Sequence, residues 1–574
     1  MNNRTKLPSS LVTTSTLLIV AVLSGCATGP HQDDSLRGTS APQSLSKAPA
    51  VLACAPLPVT DRETCTVRPG TGKYLLIAGQ VLTPDTVFQG GGVLVDPDGT
   101  ILAVGCDARA RDEAQDATQI LCPTGVVSPG LINAHDHITY NWNPPSQWGS
   151  ERYDRRNEWR KGSPAHKPIT PTPQGTKDPE LVAWSELRHV MGGTTSIAGS
   201  GGRAGLVRNL DKGDLLEGLK TDYVYYNTFP LGDSTVVTPH TIDCAYPKID
   251  DPATVLSHQC YLPHVAEGID FAANNEIHCM DSHGLITSNG AYIHSVAAYG
   301  KDGEMLQQRG ASVVWSPRSN ISLYGNTAQV TMYSNLGMKI ALATDWTPSG
   351  SINLLRELQC ADTYNTKNLG GFFSDYDLWM MVTANPADAL HMDKQIGRLA
   401  PGLVADIAIF SAGTGMTPYR AIIDGNVNRV TLVLRGGVPL YGDTSIVSQV
   451  PSWNQGCEAF PGGVVGTNKT VCIQRELGES FATLRANNKV SYPLFFASVP
   501  PDEPTCVPSR PAIPGQESGY TGISTPDDLD GDGIPNALDN CPTIFNPIRP
   551  MDSGKQADCN GNGFGDACDP TPCR

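Results

Sequence analysis

Short apolar runs alternate with longer helix-like stretches through the central region of the chain, from about residue 128 to residue 392. For example, "TTSIAG" follows "ELVAWSELRHVMGG", and "ASVVWS" follows "GKDGEMLQQRG". The apolar runs have the length of strands and the stretches between them have the length of helices. This alternation predicts a parallel α/β fold.

The pattern changes on both sides of that region. From Tyr74, the sequence "YLLIAGQVLTPDTVFQGGGVLVDPDGTILAVG" consists of short β-rich runs divided by turn residues, which predicts antiparallel strands. After the central region, "IGRLAPGLVADIAIF" and "RVTLVLRGGVPLYGD" predict strands again. We therefore expect β-structure on both flanks of the α/β region.

The stretch "PGLINAHDH" ends a predicted buried strand and carries the first candidate chemistry. Side chains alternate faces along a strand, so His135 and His137 point the same way and Asp136 points the other way. Two imidazoles on one face could bind one cation. A pair of polar histidines at a strand end is the alternative, because a short motif alone also recurs by chance.

Ionisable residues recur at the ends of later strand-like runs. His264 and Glu267 lie in "CYLPHVAEGID", His294 lies in "GAYIHSVAAYG", and Asp345 lies in "MKIALATDWTPSGS". In a (β/α)8 barrel, active sites lie at the C-terminal ends of the strands. Such a barrel would therefore bring these residues together.

These pieces resemble the metal-dependent amidohydrolase superfamily, in the branch of cytosine deaminase and the triazine chlorohydrolases. The segments that carry the resemblance follow one another in the family's order: "NAHDH", "HVAEG", "IHSV", "WSPRSNISLYG", "ATDWTPSGS", "TANPADAL" and "IGRLAPGLVADIAIF". The resemblance covers roughly residues 73 to 445 and implies a (β/α)8 TIM barrel with a small β-sandwich built from both flanks.

The resemblance also implies the role of each site residue. His135, His137, His264 and Asp345 match the metal ligands, Glu267 matches the proton-shuttling carboxylate, and His294 matches the histidine beside the reacting groups. A ligand set of this type suits one Zn²⁺ or Fe²⁺ with a position open for water. The strand "DYVYYNTF" has no Lys, and this favours one metal over two.

Substrate contacts are less specific in the sequence. We expect Arg318, Asn320 and Trp142 among them, with structural support as the alternative for the first two. The charged segment "ERYDRRNEWRKGSPAHKPIT", residues 151 to 170, is long for a loop. It could cover the site and present Arg155, Arg160 or His166, or it could be a solvated surface loop.

The N-terminus has the pattern of a targeting segment. A short basic region is followed by "LVTTSTLLIVAVLSGC", and "LSGC" resembles the bacterial lipobox, which implies cleavage before Cys26 and lipidation of that cysteine. We expect a protein that is exported and lipid-anchored, in the outer membrane of a Gram-negative bacterium. Sixteen cysteines fit such an oxidising compartment, because disulfides persist there.

The C-terminal tail carries two candidate calcium loops. "DLDGDGIPNALD" has the EF-hand loop layout and "DCNGNGFGDACD" is a looser copy, and together with "DNCP" they resemble thrombospondin type 3 repeats. The expected Ca²⁺ ligands of the two loops are Asp528, Asp530, Asp532, Ile534 through its carbonyl, and Asp539, then Asp558, Asn560, Asn562 and Asp569. We expect calcium to order this tail, which has few large apolar residues.

The patterns divide the 574 residues into seven segments. They are the signal peptide 1–25, a tether with a small disulfide loop 26–72, the N-terminal portion of the β-sandwich 73–127, the barrel 128–392, the C-terminal portion of the β-sandwich 393–445, an irregular extension 446–520 and the calcium repeats 521–574. The net charge of −16 argues against a nucleic-acid partner, which requires basic patches. We expect a small-molecule substrate, and a membrane contact through the lipid.

The leading hypothesis is a metal-dependent hydrolase of non-peptide carbon–nitrogen bonds that uses a metal-activated water. Deamination or dechlorination of a heterocycle competes with hydrolysis of a cyclic amide or imidazolone, because a fold does not fix the substrate. A non-catalytic, calcium-dependent surface binding protein is the alternative from another class.

Overall fold

The computed structural model describes residues 44, 47–58, 64–235, 243–450, 452–512 and 518–573. The proposed signal peptide and Cys26 lie outside the described residues. Ala41–Arg574 form one compact unit. Among the helices of the described ranges, none combines the length and the apolar character that a membrane crossing requires.

The strands fall into an N-terminal, a central and a C-terminal group. The N-terminal strands are β1 (Ala50–Ala53), β2 (Thr66–Arg68), β3 (Leu75–Leu82), β4 (Thr86–Val95), β5 (Ile101–Gly105) and β6 (Thr118–Pro129). The central strands are β7 (Leu131–Asp136), β8 (Thr194–Gly199), β9 (Arg208–Asn209), β10 (Tyr225–Asn227), β11 (Tyr261–Val265), β12 (Ala291–His294), β13 (Ser312–Trp315) and β14 (Ile340–Leu342). The C-terminal strands are β15 (Ile407–Ser411), β16 (Val430–Arg435), β17 (Val438–Asp443), β18 (Glu458–Ala459) and β19 (Lys469–Val471).

The helices are α1 (Asp112–Gln115), α2 (Arg156–Lys161), α3 (Pro179–Met191), α4 (Pro252–Ser257), α5 (Phe271–Ser282), α6 (Gly300–Gln308), α7 (Pro317–Tyr324), α8 (Val330–Asn335), α9 (Leu354–Asn368), α10 (Asp375–Met380), α11 (Ala384–Ala389), α12 (Pro418–Ile423), α13 (Thr444–Val447), α14 (Ile473–Leu477) and α15 (Phe481–Asn487). Helices α2 to α11 lie between the central strands or follow the last of them, and the remaining helices lie in the flanks and the C-terminal extension. Aspartate or asparagine side chains cap several of them, including Asp270 before α5 and Asn353 before α9.

The two flanks form one 11-stranded sheet, in the order β1-β4-β3-β6-β15-β16-β17-β19-β18, with β2 beside β6 and β5 beside β4. The junction between the flanks is the antiparallel pair β15 and β6. Its core contains β-branched and aliphatic side chains such as Ile77, Val93 and Ile409. The expected assembly of β-structure from both sides of the barrel region is therefore present, as a single hydrogen-bonded sheet.

The central strands confirm the predicted parallel α/β fold, but they do not form a closed ring. They make a 3-stranded sheet, β7-β8-β9, and a 5-stranded sheet, β10-β11-β12-β13-β14. At one junction Asp136 forms a parallel bridge with Asp345, which follows β14. At the other, β9 is only two residues long, and between it and β10 a single backbone bond runs from Val224 N to Leu210 O at 2.8 Å. The continuous barrel ladder that was expected is thus interrupted between β9 and β10.

The C-terminal tail packs on the central region through buried side chains. Tyr520, Ile544 and Phe545 belong to the main apolar core. Arg549, which is 2% exposed, donates to the carbonyls of Val296 and Ala298. The tail therefore contacts the loop that follows β12.

Seven disulfides connect elements of the described chain. They are Cys54–Cys106, Cys65–Cys122, Cys244–Cys279, Cys360–Cys506, Cys457–Cys472, Cys541–Cys568 and Cys559–Cys573. Cys260 is buried and free. Disulfides therefore brace the described chain.

Candidate metal centre

Three histidines and one aspartate meet at the C-terminal ends of the parallel strands. His135 lies in β7 and His137 follows it directly, His264 lies in β11, and Asp345 follows β14. The backbone holds the first and last of these strands together, because His137 N donates to Asp345 O at 2.6 Å and Asp345 N donates to His135 O at 3.2 Å. The strand-end placement that the sequence predicts brings these four side chains into one cluster.

The four side chains have the separation of ligands around one ion. One ligand atom from each of His135, His137, His264 and Asp345 lies within 4.8 Å of all the others. Asp345 Oδ1 is 3.2 Å from His135 Nε2 and 3.5 Å from His137 Nε2. Ser319 donates to the other Asp345 oxygen at 2.5 Å, which fixes the carboxylate toward the imidazoles.

Burial keeps these imidazoles in the form that binds metals. It lowers the pKa of His135 to about 3 and that of His137 to about 3, and it lowers the pKa of His264 well below its usual value, with the neighbouring imidazoles adding to the effect. The Nδ1 atoms of His135 and His264 are buried and have no hydrogen-bond partner. Neutral imidazoles that direct Nε2 toward Asp345, as His135 and His137 do, fit a bound cation.

Glu267 and His294 form the adjoining portion of the cluster. The Glu267 carboxylate lies 3.6 Å from His294 Nε2 and accepts a hydrogen bond from the Tyr324 hydroxyl at 2.7 Å. Asn320 Nδ2 lies 3.0 Å from His294 Nδ1, an arrangement in which Nδ1 accepts and Nε2 carries the proton toward Glu267. Burial raises the pKa of Glu267 to about 7, so its carboxyl group can both take and release a proton near neutral pH.

Sharp backbone turns direct two of these side chains. His294 and Asp345 have φ angles of 69° and 63°, in the left-handed region that residues other than glycine rarely adopt. Such conformations cost free energy and are found at sites where a side chain must be held in a particular direction. Both residues end or follow a central strand and then turn into the site.

A pocket of 420 Å³ opens above the cluster. Its polar floor is formed by His137, His264, Glu267, His294 and Asp345. Its walls carry the aromatic side chains Tyr140, Trp159, Phe229 and Trp346, and the rim carries Arg156, Arg160 and Lys161. The pocket can therefore hold a flat apolar group against a reactive polar floor.

The structure separates the predicted substrate contacts. Asn320 contacts His294, as described above. Arg318 instead pairs with Glu503 at 3.2 Å and lines a different cavity beside α9. Trp142 donates to Gln174 O and does not line the pocket.

The charged segment 151–170 borders the site, and Arg156, Trp159, Arg160, Lys161 and Ile169 of this segment line the pocket. Arg160 lines the pocket, whereas Arg155 pairs with Asp270 and His166 lies near Glu151 and Glu158. The sequence patterns did not single out Arg156, Tyr226, Ser319 or Tyr324. The Tyr226 hydroxyl lies 3.2 Å from His137 Nδ1. The only sequence feature that pointed to Tyr226 was its position in the predicted strand that has no Lys.

The predicted calcium residues of the first tail loop also cluster, but incompletely. Carboxylate oxygens of Asp528, Asp530 and Asp532 lie within 4.8 Å of one another. Asp539 bonds to Cys541 N at 2.8 Å and to Gln556 at 2.7 Å, and Ile534 N donates to Asp532. Asp530 is 1% exposed and one of its oxygens has no hydrogen-bond partner.

The second tail loop satisfies its charges internally. Asp558 accepts hydrogen bonds from Gly561 N at 2.8 Å and Gly563 N at 3.0 Å. Asn560 and Asn562 donate to one Asp569 oxygen at 2.9 and 2.8 Å. These amide groups therefore occupy carboxylate oxygens of Asp558 and Asp569 that could otherwise bind a cation.

Comparison with known proteins shows what parts of this chain are similar to. Residues 253–439 match the Amidohydrolase family. The chain is 24% identical to a 5-methylthioadenosine/S-adenosylhomocysteine deaminase of Haloarcula marismortui over 376 residues, which are 59% of this chain and 84% of the relative.

Two solved structures are similar to this chain. An adenosine deaminase from Xanthomonas campestris with bound zinc has a TM-score of 0.49 and 16% identity, over 77% of this chain and 98% of that one. A triazine hydrolase variant has a TM-score of 0.49 and 17% identity, over 72% of this chain and 98% of that one. The family match and the sequence relatives confirm the predicted class: the chain carries an amidohydrolase-type domain, a metal-dependent hydrolase of carbon–nitrogen bonds.

Proposed function

We propose that the chain hydrolyses the exocyclic carbon–nitrogen bond of an amino-substituted heteroaromatic ring and releases ammonia. The observation that carries the proposal is the placement of three neutral imidazoles, Asp345 and a protonatable Glu267 on the floor of one aromatic pocket. The relatives named as deaminases support the choice of an amine over other leaving groups.

One Zn²⁺ or Fe²⁺ fits the four-residue cluster. His135, His137, His264 and Asp345 would hold it, and their donor set of nitrogen and oxygen atoms suits either ion. When bound, such a metal supplies Lewis acidity that activates water for attack. The absence of a lysine from the β10 segment supports a single ion.

The chain's own groups would move the protons. Glu267 would take a proton from the attacking water and pass it to the leaving amino nitrogen, because its pKa of about 7 allows both steps. The Tyr324 hydroxyl holds one Glu267 oxygen, which leaves the other toward His294. The His294 Nε2–H would donate to the ring or to the developing oxyanion, and Asn320 fixes the tautomer that allows this.

A screen of ring amines and cyclic amides tests the reaction class. Purified full chain, loaded with zinc or iron, is assayed for ammonia release and for ring opening, and metal-stripped protein is the control. We expect metal-dependent ammonia release from at least one aminated heterocycle. Ring opening of cyclic amides or imidazolones without ammonia release would replace the proposal by the cyclic amidase alternative, and inactivity with no bound transition metal would favour a binding protein.

We propose in addition that the loop Asp528–Asp539 binds Ca²⁺. Oxygen ligands alone suit this ion, and without a cation the carboxylates repel one another. Burial and the charges of Asp532 and Asp539 raise the pKa of Asp530 to about 9, which indicates a buried acid with no positive neighbour. Calcium titration by calorimetry, with Asp530→Asn as the variant, tests this. One site in the wild-type chain that the variant loses is the expected result.

Export and lipidation at Cys26 are likewise proposals. The support is the lipobox-like "LSGC" and the seven disulfides that the described chain forms. Mass spectrometry of the N-terminal peptide from the native protein tests them.

A further inference from the structure

The pocket above the metal centre has two ends of opposite character. Its floor carries the carboxylates Glu267 and Asp345, and α2 contributes the buried Arg156, the half-buried Arg160 and the exposed Lys161 to the lining. The whole chain has a net charge of −16, so a cationic rim is not explained by overall composition.

Arg156 is already neutralised within the protein. It is 1% exposed and lies 2.7 Å from an Asp233 oxygen and 3.6 Å from a Glu276 oxygen. Its backbone N–H also donates to Glu267 O. This arginine connects α2 to the loop that follows β11. Its charge is balanced by Asp233 and Glu276, so we do not assign it to a ligand.

Arg160 has no carboxylate partner among the described residues. Its Nη2 donates to the Ser234 carbonyl at 3.1 Å, and its guanidinium lies 4.3 Å from the centre of the Phe229 ring. Its Nη1 is buried and has no hydrogen-bond partner in the part of the chain that the structure describes. A guanidinium has five N–H donors in a planar fork that matches carboxylate and phosphate oxygens.

The surroundings make the positive charge of Arg160 unfavourable until an anion arrives. Desolvation and the charge of Arg156 lower the pKa of Arg160, and the carboxylates of Glu267 and Asp233 offset this only in part. An unsatisfied buried donor next to a second cation has a free-energy cost, and an entering anion would remove it. The neighbouring Lys161 is exposed and adds a mobile positive charge at the mouth.

An aromatic wall connects the rim to the floor. The centres of the Trp159 and Trp346 rings are 5.5 Å apart, and those of Tyr140 and Trp346 are 5.8 Å apart. The Trp346 and His137 rings are 5.8 Å apart. A planar ring placed against this wall would have one edge at the metal cluster and another directed to the rim.

We infer that Arg160, assisted by Lys161, binds an anionic substituent of the substrate, so that the preferred substrate is a planar heteroaromatic amine that carries a carboxylate or a phosphate. This inference rests on the proposed function for the orientation of the amine, but the anion subsite itself can be tested by binding alone. Carboxylate and phosphate share the required chemistry, and the experiment separates them.

Three matched probes test the subsite: adenosine, adenosine 5′-carboxylate and adenosine 5′-monophosphate. Their affinities for the zinc-loaded full chain are measured by calorimetry, and ammonia release is measured in parallel. The variants are Arg160→Gln, Arg160→Lys and, as matched control, Lys167→Gln, which removes an exposed charge of the same segment outside the pocket.

We expect at least one anionic probe to bind the wild-type chain more tightly than adenosine does. Arg160→Gln should weaken that probe about tenfold or more and change adenosine little, because a charge-assisted hydrogen bond is lost only with the anion. Arg160→Lys should recover some of the effect, and Lys167→Gln should behave as wild type. The anionic probe whose affinity Arg160→Gln lowers more identifies the substituent as a carboxylate or a phosphate.

Equal affinities for all three probes, or no binding of either anionic probe by the wild-type chain, would overturn the inference. Equal weakening of neutral and anionic probes by Arg160→Gln would also overturn it, because Arg160 would then only support the pocket. Charge-selective binding without any ammonia release would contradict the proposed function and leave the subsite in place.

Discussion

The cluster at the strand ends and the acidic loop of the tail are two candidate cation sites built in different ways. The first collects His135, His264 and Asp345 from strands that are far apart in the sequence. The second takes Asp528, Asp530 and Asp532 from one short loop. The first offers nitrogen and oxygen donors and the second offers oxygen alone, so the first suits Zn²⁺ or Fe²⁺ and the second suits Ca²⁺.

The two sites also differ in what they require before a cation binds. Burial lowers the pKa of His135 and of His137 to about 3, which favours neutral imidazoles, and the parallel strands hold both side chains in place. The carboxylates of the loop repel one another, and the pKa of Asp530 is raised to about 9 because it is buried beside other acids. A strand-end site is therefore prepared by folding, whereas the loop site, as proposed above, would be completed by its ion.

The largest effect is expected from His264→Ala. This change leaves two imidazoles and one carboxylate, so most of the transition metal and nearly all turnover should be lost while calcium binding by the tail persists. Elemental analysis of the purified variant measures both ions. His278→Ala, on a half-exposed histidine of α5, is the control and should retain metal and activity. Full transition-metal content in His264→Ala would contradict the assignment.

Glu267→Gln should separate metal binding from proton transfer. The amide cannot take and return a proton, so turnover should fall by about 10²–10⁴-fold while the metal content stays at the wild-type value. Steady-state kinetics and elemental analysis on the same preparation give both quantities. Turnover close to that of the wild type would assign the proton transfer to another group, with His294 the nearest candidate.

The pH dependence of stability should have opposite signs at the two sites once cations are removed. His135 and His137 have folded-state pKa values of about 3, below the ordinary 6.5, so the unfolded chain binds more protons and stability falls as the pH drops from 6.5 toward 3. Asp530 has a folded-state pKa of about 9, above the ordinary 3.8, so its contribution is present below 3.8 and is lost as the pH rises toward 9.

Thermal melts and limited proteolysis in chelator, across this pH range, test the contrast. Melts report on the compact unit as a whole, and cleavage after residue 520 reports on the tail. We expect acid to lower the melting temperature and alkali to increase cleavage of the tail. If the melting temperature and the cleavage of the tail change over the same pH range, the two sites do not titrate independently.

Asp530→Asn should affect the tail and leave the strand-end metal in place. We expect calcium affinity to fall at least about tenfold, because ligand charge sets the affinity of such loops. Protease sensitivity of the tail should increase. Asp558→Asn is the matched change in the second loop, where Asn560 and Asn562 already satisfy Asp569, and it should have the smaller effect. A reversed order would mean that the second loop is the principal site.

Cys26→Ser is expected to have no effect on turnover by the purified protein. It should remove the lipid and release the protein from the membrane fraction, as followed by fractionation and mass spectrometry. A native N-terminus without lipid would contradict the anchoring proposal.

The site residues were predictable because each follows an apolar strand, and parallel strands deliver their C-terminal ends to one place. His135, His264 and Asp345 meet for this reason. Arg318 was expected there as well, but it pairs with Glu503, a partner far along the chain, and no local pattern indicates such a contact. The spacing of residues along the sequence predicts strands, but it does not predict contacts between residues that lie far apart in the chain.

The loops around the site were less predictable for the same physical reason. Segment 151–170 appeared only as a long charged loop, and its position depends on tertiary contacts such as the bridge between Arg155 and Gly268. The interruption between β9 and β10 was also not predicted, because alternation of strands and helices does not reveal how long each ladder is. Tyr324 and Arg160 could be assigned to the pocket only after these elements were placed.

Anomalous diffraction from crystals of the zinc-loaded protein tests the central claim most directly. Data collected on both sides of the zinc absorption edge locate the ion without reference to activity. The account predicts one strong peak per chain among His135, His137, His264 and Asp345, and no zinc peak at Asp528, Asp530 and Asp532. A zinc peak only in the tail, or none among the strand-end residues, would contradict it.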